Sequence, residues 1–171
     1  MKNYSKFAKK LLVFLAVVAI ALVATTFVAC VDKPQSGWLA GLELPTLAAN
    51  EMAVIVKNGD KDYDSYVVTL GADGTNAQTV EDVINYLHDE RGLYVDWQDS
   101  GYGKFLNAIG GAVPQSGQWI TVLTSDTRYQ DVASAYSVTY EVDGVTLVSA
   151  NVGVSGMQVN SGVVVYFEVA G

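Results

Sequence analysis

A single cysteine, Cys30, is the feature that most limits what this 171-residue chain can fold into. With no second thiol there is no intramolecular disulfide. A closed zinc set of Cys and His ligands is also beyond reach, since His88 is the only histidine. A fold downstream of Cys30 must therefore hold by its hydrophobic core, and roughly 120 residues suffice for one such domain.

The residues before the cysteine have a different character. Residues 1–29 carry Lys2, Lys6, Lys9 and Lys10, no acid, and the apolar run LLVFLAVVAIALVA. A basic start, an apolar middle and a small residue before a cut make a secretory signal. Phe27-Val28-Ala29-Cys30 resembles the bacterial lipobox, with Phe27 where leucine is usual. The expectation is cleavage before Cys30 and a lipid (palmitate among its acyl chains) on that cysteine, which places the domain outside the bacterial cell membrane. The alternative is a retained anchor, because Leu11 to Ala29 is about the ~20 residues that span a bilayer. Either way the lysines mark the cytoplasmic end.

All 18 acids follow Cys30, against six bases, a net charge of −12 for the mature part. Such an excess argues against nucleic acid or an anionic surface held through basic patches. Residues 30–50 mix Pro, Gly and small residues, and read as the lipidated cysteine and a tether. If the tether is loose, Trp38 and Leu42 are free; they could instead pack on the domain.

The domain proper is expected over 51–171. Short β-branched runs, Ala53–Lys57 and Tyr66–Leu70, flank the turn-rich NGDKDYDS and suggest a hairpin. Thr79 with Asp82 three residues on resembles a capping box, and Val80, Val83, Ile84 and Leu87 have helical spacing. Gly92 suits the position past its end. Strands follow at 93–98, 118–124, 137–142, 145–151 and 163–169, with Asp143-Gly144 as a strong hairpin signal. The expected class is α+β: a β-grasp-like mixed sheet with one main helix on one face.

Chemistry is sparse. His88 sits near the helix end, where a solvated imidazole is the ordinary role. Gly153-Val154-Ser155-Gly156-Met157 lacks the closing glycine of a nucleophile elbow and reads as a loop. No glycine-rich phosphate loop is found, so no enzyme is expected. Asp60, Asp62 and Asp64 alternate as calcium-loop oxygens do, but Ser65 and Gly71 stand where Gly and Glu are required. A charged hairpin tip is the plainer reading, and a surface calcium site the weaker one. Tyrosines and tryptophans near glycine-rich turns favour binding over catalysis.

SGYGKFLNAIGG (100–111), Gln118-Trp119, the VDG turn and NVGVSGMQVNSGVVVYFE (151–168) together resemble the transcobalamin-like C-terminal domain of bacterial surface lipoproteins. The resemblance covers roughly residues 52–169. It implies a β-grasp-like sheet and a ligand side near Tyr102, Gly103, Trp119, Ser155, Gly156 and Met157. It also implies cobalamin as a ligand, because the similar domain of animal carriers closes over a corrinoid. Asn160-Ser161-Gly162 and the long stretch between Trp119 and Asp143 depart from the family pattern. The function expected is a lipid-anchored, non-catalytic module that captures a small ligand for an uptake transporter. The alternative is a cell-surface adhesion or protein-interaction module pairing through an exposed sheet edge.

Overall fold

A computed structural model describes residues 35–37, 39, 41–60, 62–72, 74–100 and 103–171. The expected signal segment 1–29, the expected lipidation site Cys30 and Trp38 lie outside the described residues. Among the described residues, no helix is long and apolar enough to cross a membrane.

The elements in chain order are β1 (Gln35–Gly37), β2 (Glu51–Asn58), β3 (Asp62–Thr69), α1 (Val80–Arg91), β4 (Val95–Ser100) and β5 (Gly103–Ile109). They continue with β6 (Trp119–Thr124), a 3-10 turn (Thr127–Tyr129), β7 (Val138–Val142), β8 (Val145–Ser149) and β9 (Val164–Ala170). Seven strands form one mixed sheet in the order β1-β7-β8-β6-β9-β2-β3, and β4 and β5 form a separate pair. β1–β7 and β2–β9 pair in parallel; the other neighbours are antiparallel. The expected α+β class, a large mixed sheet with one main helix, is what the chain adopts.

The parallel β2–β9 pair lies at the heart of the sheet. Its segments Ala53–Val56 and Val164–Phe167 are apolar at every position and buried at every position. Continuous rather than alternating hydrophobicity marks a strand covered on both faces. Met52, Val54, Val56, Val165 and Phe167 point towards α1, which meets them with Val80, Val83, Ile84 and Leu87. Ala53, Ile55, Val164 and Tyr166 face the other way, against Leu123, Leu147, Leu39 and Leu42.

That second layer corrects the expected tether. From Gln35 onward the 30–50 stretch joins the domain: 35–37 pairs with β7, Leu39 and Leu42 are buried, and Leu44 and Leu47 pack beside them. The amide of Leu44 donates to the Asp143 carboxylate at 2.9 Å. Without these leucines the outer face of β2 and β9 would be left wet. The last strand is likewise interior, so the sheet edges belong to β3 and β1.

Local signals explain the boundaries. At Asp143-Gly144 both residues have positive φ, 50° and 79°, as a two-residue hairpin of matching twist requires. Thr79 caps α1: its hydroxyl accepts from the Asp82 amide, while the Asp82 carboxylate accepts from the Thr79 amide. Gly92 closes the helix in the left-handed region at φ 71°, and its N–H returns to the Leu87 carbonyl. Gly111 approaches Asn58 so closely that a Cβ there would lie 2.6 Å from the Asn58 amide oxygen. That oxygen accepts the Gly111 N–H at 2.7 Å, pinning the end of the β4–β5 hairpin to β2.

Thr79→Ala is expected to lower unfolding free energy by about 1 kcal/mol in urea titrations. The Asp82 carboxyl is held below its usual range by the backbone N–H groups of Thr79 and Gln78, then by the Thr79 hydroxyl. Its stabilising effect is therefore present above the unfolded carboxyl's pKa of about 3.9 and fades as pH falls below it. Asp82→Asn is expected to flatten the loss of stability in that acid window.

Candidate functional site

The helix covers only part of its sheet face, and the β4–β5 hairpin extends the cover. Between that hairpin and β6 lies an open cleft of about 1000 Å³. Ile120 and Val122 form its apolar floor, since α1 leaves β6 uncapped. Phe105 and Leu106 supply one wall, and the loop Gly153–Gly156 supplies the other. Trp119 stands at the rim, 58% exposed, and Phe105 is 55% exposed. Aromatic and apolar side chains of this kind are the usual lining of small-molecule sites.

The polar part of the lining is mostly amide. Gln98, Asn107, Gln115 and Gln118 contribute side chains that both donate and accept. Lys104 is the one charged residue among the described lining residues. Its ammonium is 3.1 Å from a carboxylate oxygen of Glu81, in the first turn of α1. The second oxygen of Glu81 accepts from the Ser155 hydroxyl. One carboxylate thus ties the hairpin wall to the loop wall and neutralises the cation between them. The loop is also fixed through its backbone: the amides of Val80 and Glu81 donate to the carbonyls of Met157 and Val154. Those are helix N-terminal donors without an intrahelical partner, so loop and helix satisfy one another.

The structure gathers part of the set that the resemblance implied. Trp119, Ser155 and Gly156 line the cleft. Met157 does not; it is fully buried against α1 in the core, because its carbonyl and side chain serve the helix start. Gly103 opens β5, and Tyr102 lies outside the described residues. Sequence reading missed Phe105, the amide rim and the Glu81 tie. The strand β5 was not expected, because GKFLNAI lacks the strict apolar–polar alternation of a half-buried strand.

The aspartate triad is not gathered. Asp62 and Asp64 lie on β3, Asp60 in the turn, and the Asn58 amide donates to Asp64 at 2.6 Å. Among the described residues, no group of three or more His, Cys, Asp and Glu side chains could hold a metal ion. β3 begins at Asp62, so the tip is too short to fold three carboxylates around one point. Ser155 likewise has no histidine beside it. His88 bonds through Nδ1 to the Leu93 carbonyl at 2.8 Å, at the far end of α1 from Glu81.

A second polar cluster lies under the other face. Glu168 is buried, accepting from the hydroxyls of Tyr140 at 2.8 Å and Tyr166 at 3.1 Å, with the Lys57 ammonium at 3.5 Å. Burial, and then the Glu168 charge, push both phenols well above their usual range. A lone acid inside VVVYFEVA, two residues after a tyrosine, was its signal in the sequence. Its groups are satisfied among themselves, as buried charge demands.

No protein-family model matches the sequence. No curated protein matches it either. Among solved structures, a protein from Ruminococcus gnavus, provisionally described as metal binding, is similar at 16% identity and a TM-score of 0.47. The similarity covers 71% of this chain and 96% of that one.

Glu81→Ala removes the tie between the two walls. It is expected to cost about 1 kcal/mol in urea unfolding, because Ser155 loses its acceptor along with the ion pair. Lys104→Ala, which removes only the half-exposed partner, is expected to cost less.

Proposed function

We propose that this chain is a non-catalytic, extracytoplasmic lipoprotein, anchored through Cys30, that captures a small uncharged ligand in the cleft beside Trp119. The observation that carries this reading is the lining itself: two exposed aromatic rings, a rim of amides and a cation already neutralised by Glu81. Such a lining suits a molecule with an apolar face and hydrogen-bonding groups around its edge. A charged ligand would find no unpaired opposite charge among the described lining residues. The lipobox-like Phe27–Cys30 supports export, and capture near a membrane suits hand-off to an uptake transporter.

A corrinoid has this chemistry, with a flat apolar ring edged by amides, and the resemblance to the transcobalamin-like domain points to the same ligand. The β-grasp-like arrangement proposed with it is supported by the parallel pairing of β2 with β9 around a single main helix. The adhesion reading has weaker footing. Of the two sheet edges, β3 carries exposed Asp62 and Asp64, and acidic edges resist strand addition.

Calorimetric titration of the mature protein with cyanocobalamin is expected to give saturable heat. Trp119→Ala is expected to weaken binding about tenfold, the value of one stacked aromatic contact. Absence of heat at high micromolar ligand would remove the corrinoid. Binding that survives Trp119→Ala unchanged would remove the cleft.

A further inference from the structure

The route by which the chain joins its sheet fixes which end of the domain faces the lipid. Gln35, the first residue of β1, pairs with Val138, the first of β7, and the two strands run in parallel. The residues before each therefore leave the sheet at the same end. Before Val138 these are Val132-Ala133-Ser134-Ala135-Tyr136, a stretch without charge in a domain of net charge −12. Before Gln35 they lead back to Cys30, five residues away, a reach of at most about 17 Å.

Val132 is 80% exposed and Tyr136 86% exposed. They are presented by a turn held from within. Ser134 N–H donates to the Asp131 carboxylate at 3.1 Å, Tyr136 N–H to the Ser134 hydroxyl at 3.1 Å, and Ser137 N–H to the Ser134 carbonyl at 3.2 Å. An ordered turn that spends its hydrogen bonds internally, and shows water a valine and a tyrosine, is unusual on so acidic a body. Tyrosine is enriched where apolar chains meet lipid headgroups.

We infer that the 131–136 turn is a second membrane contact, with Val132 and Tyr136 resting in the headgroup region of the bilayer that the acylated Cys30 enters. This rests on the anchoring reading above. The acyl chains supply the attachment, and the turn supplies orientation. Trp119 opens β6 at this same end of the sheet: Val138 N–H donates to the Ser149 hydroxyl, Ser149 pairs with Leu123, and Trp119 lies four residues further along that direction. The rim of the cleft is therefore turned towards the membrane side, where a transporter would receive a ligand.

The test uses full-length protein, acylated in cells and reconstituted into phosphatidylcholine vesicles that carry a nitroxide-labelled phosphatidylcholine. Acylated Cys30 has no free thiol, so Tyr136→Cys can be labelled uniquely with a bimane fluorophore. Ala49→Cys, exposed before β2 at the opposite end of the sheet, is the control. Both positions are exposed, and neither replacement touches the core. The expected result is flotation with the vesicles and quenching several-fold stronger at 136 than at 49. Equal quenching at the two positions in floating protein would overturn the membrane contact while leaving the anchor intact. Protein that fails to float, with no acyl mass on Cys30, would overturn the anchoring reading and this inference together.

Discussion

Burial of the parallel β2–β9 pair on both faces is the constraint from which the rest of the structure follows. Two strands that are apolar at every position cannot lie at a surface, so each face needs a layer of its own. One layer is α1 with its stripe of Val80, Val83, Ile84 and Leu87. The other is the far side of the sheet closed over by Leu39 and Leu42. This explains why residues with the composition of a tether are drawn into the fold. It also gives the 35–37 segment a fixed partner in β7.

The cleft is a consequence of the same arrangement. A helix of 12 residues cannot shelter the helix-side face of β6 as well as that of β2 and β9. The β4–β5 hairpin makes up part of the difference, held by Leu93, Ile109 and the close approach of Gly111 to Asn58. What it leaves open is floored by Ile120 and Val122 and rimmed by amides. Glu81 sits where hairpin, helix and loop meet, and satisfies a cation from one wall and a hydroxyl from the other. The floor thus belongs to the seven-stranded sheet and one wall to a two-stranded satellite. That asymmetry suits a site that adjusts to a ligand from one side.

Most of the framework was legible in the sequence because its signals are local. The capping box at Thr79 and Asp82, the Gly92 stop and the Asp143-Gly144 turn each act within a few residues. What escaped depends on distant partners. Leu39 and Leu42 look like tether residues until the apolar outer face of β9 is known. β5 was hidden within a glycine-rich stretch that reads as a turn. Met157 was grouped with the ligand side by resemblance, whereas its neighbours Ser155 and Gly156 remain at the cleft. One residue's difference in position decides between core and surface here, because the loop bonds to the first amides of α1.

The central physical claim is that the large sheet carries the floor of the cleft and a separately held hairpin carries one of its walls. Native-state hydrogen exchange resolved by residue tests it directly. Amides of 54–56 and 165–167 should exchange only through global unfolding, while those of 95–100 and 104–109 exchange through a smaller, local opening. If the hairpin amides exchange in step with those of β2 and β9 at every denaturant concentration, sheet and hairpin are one cooperative unit and the account is contradicted.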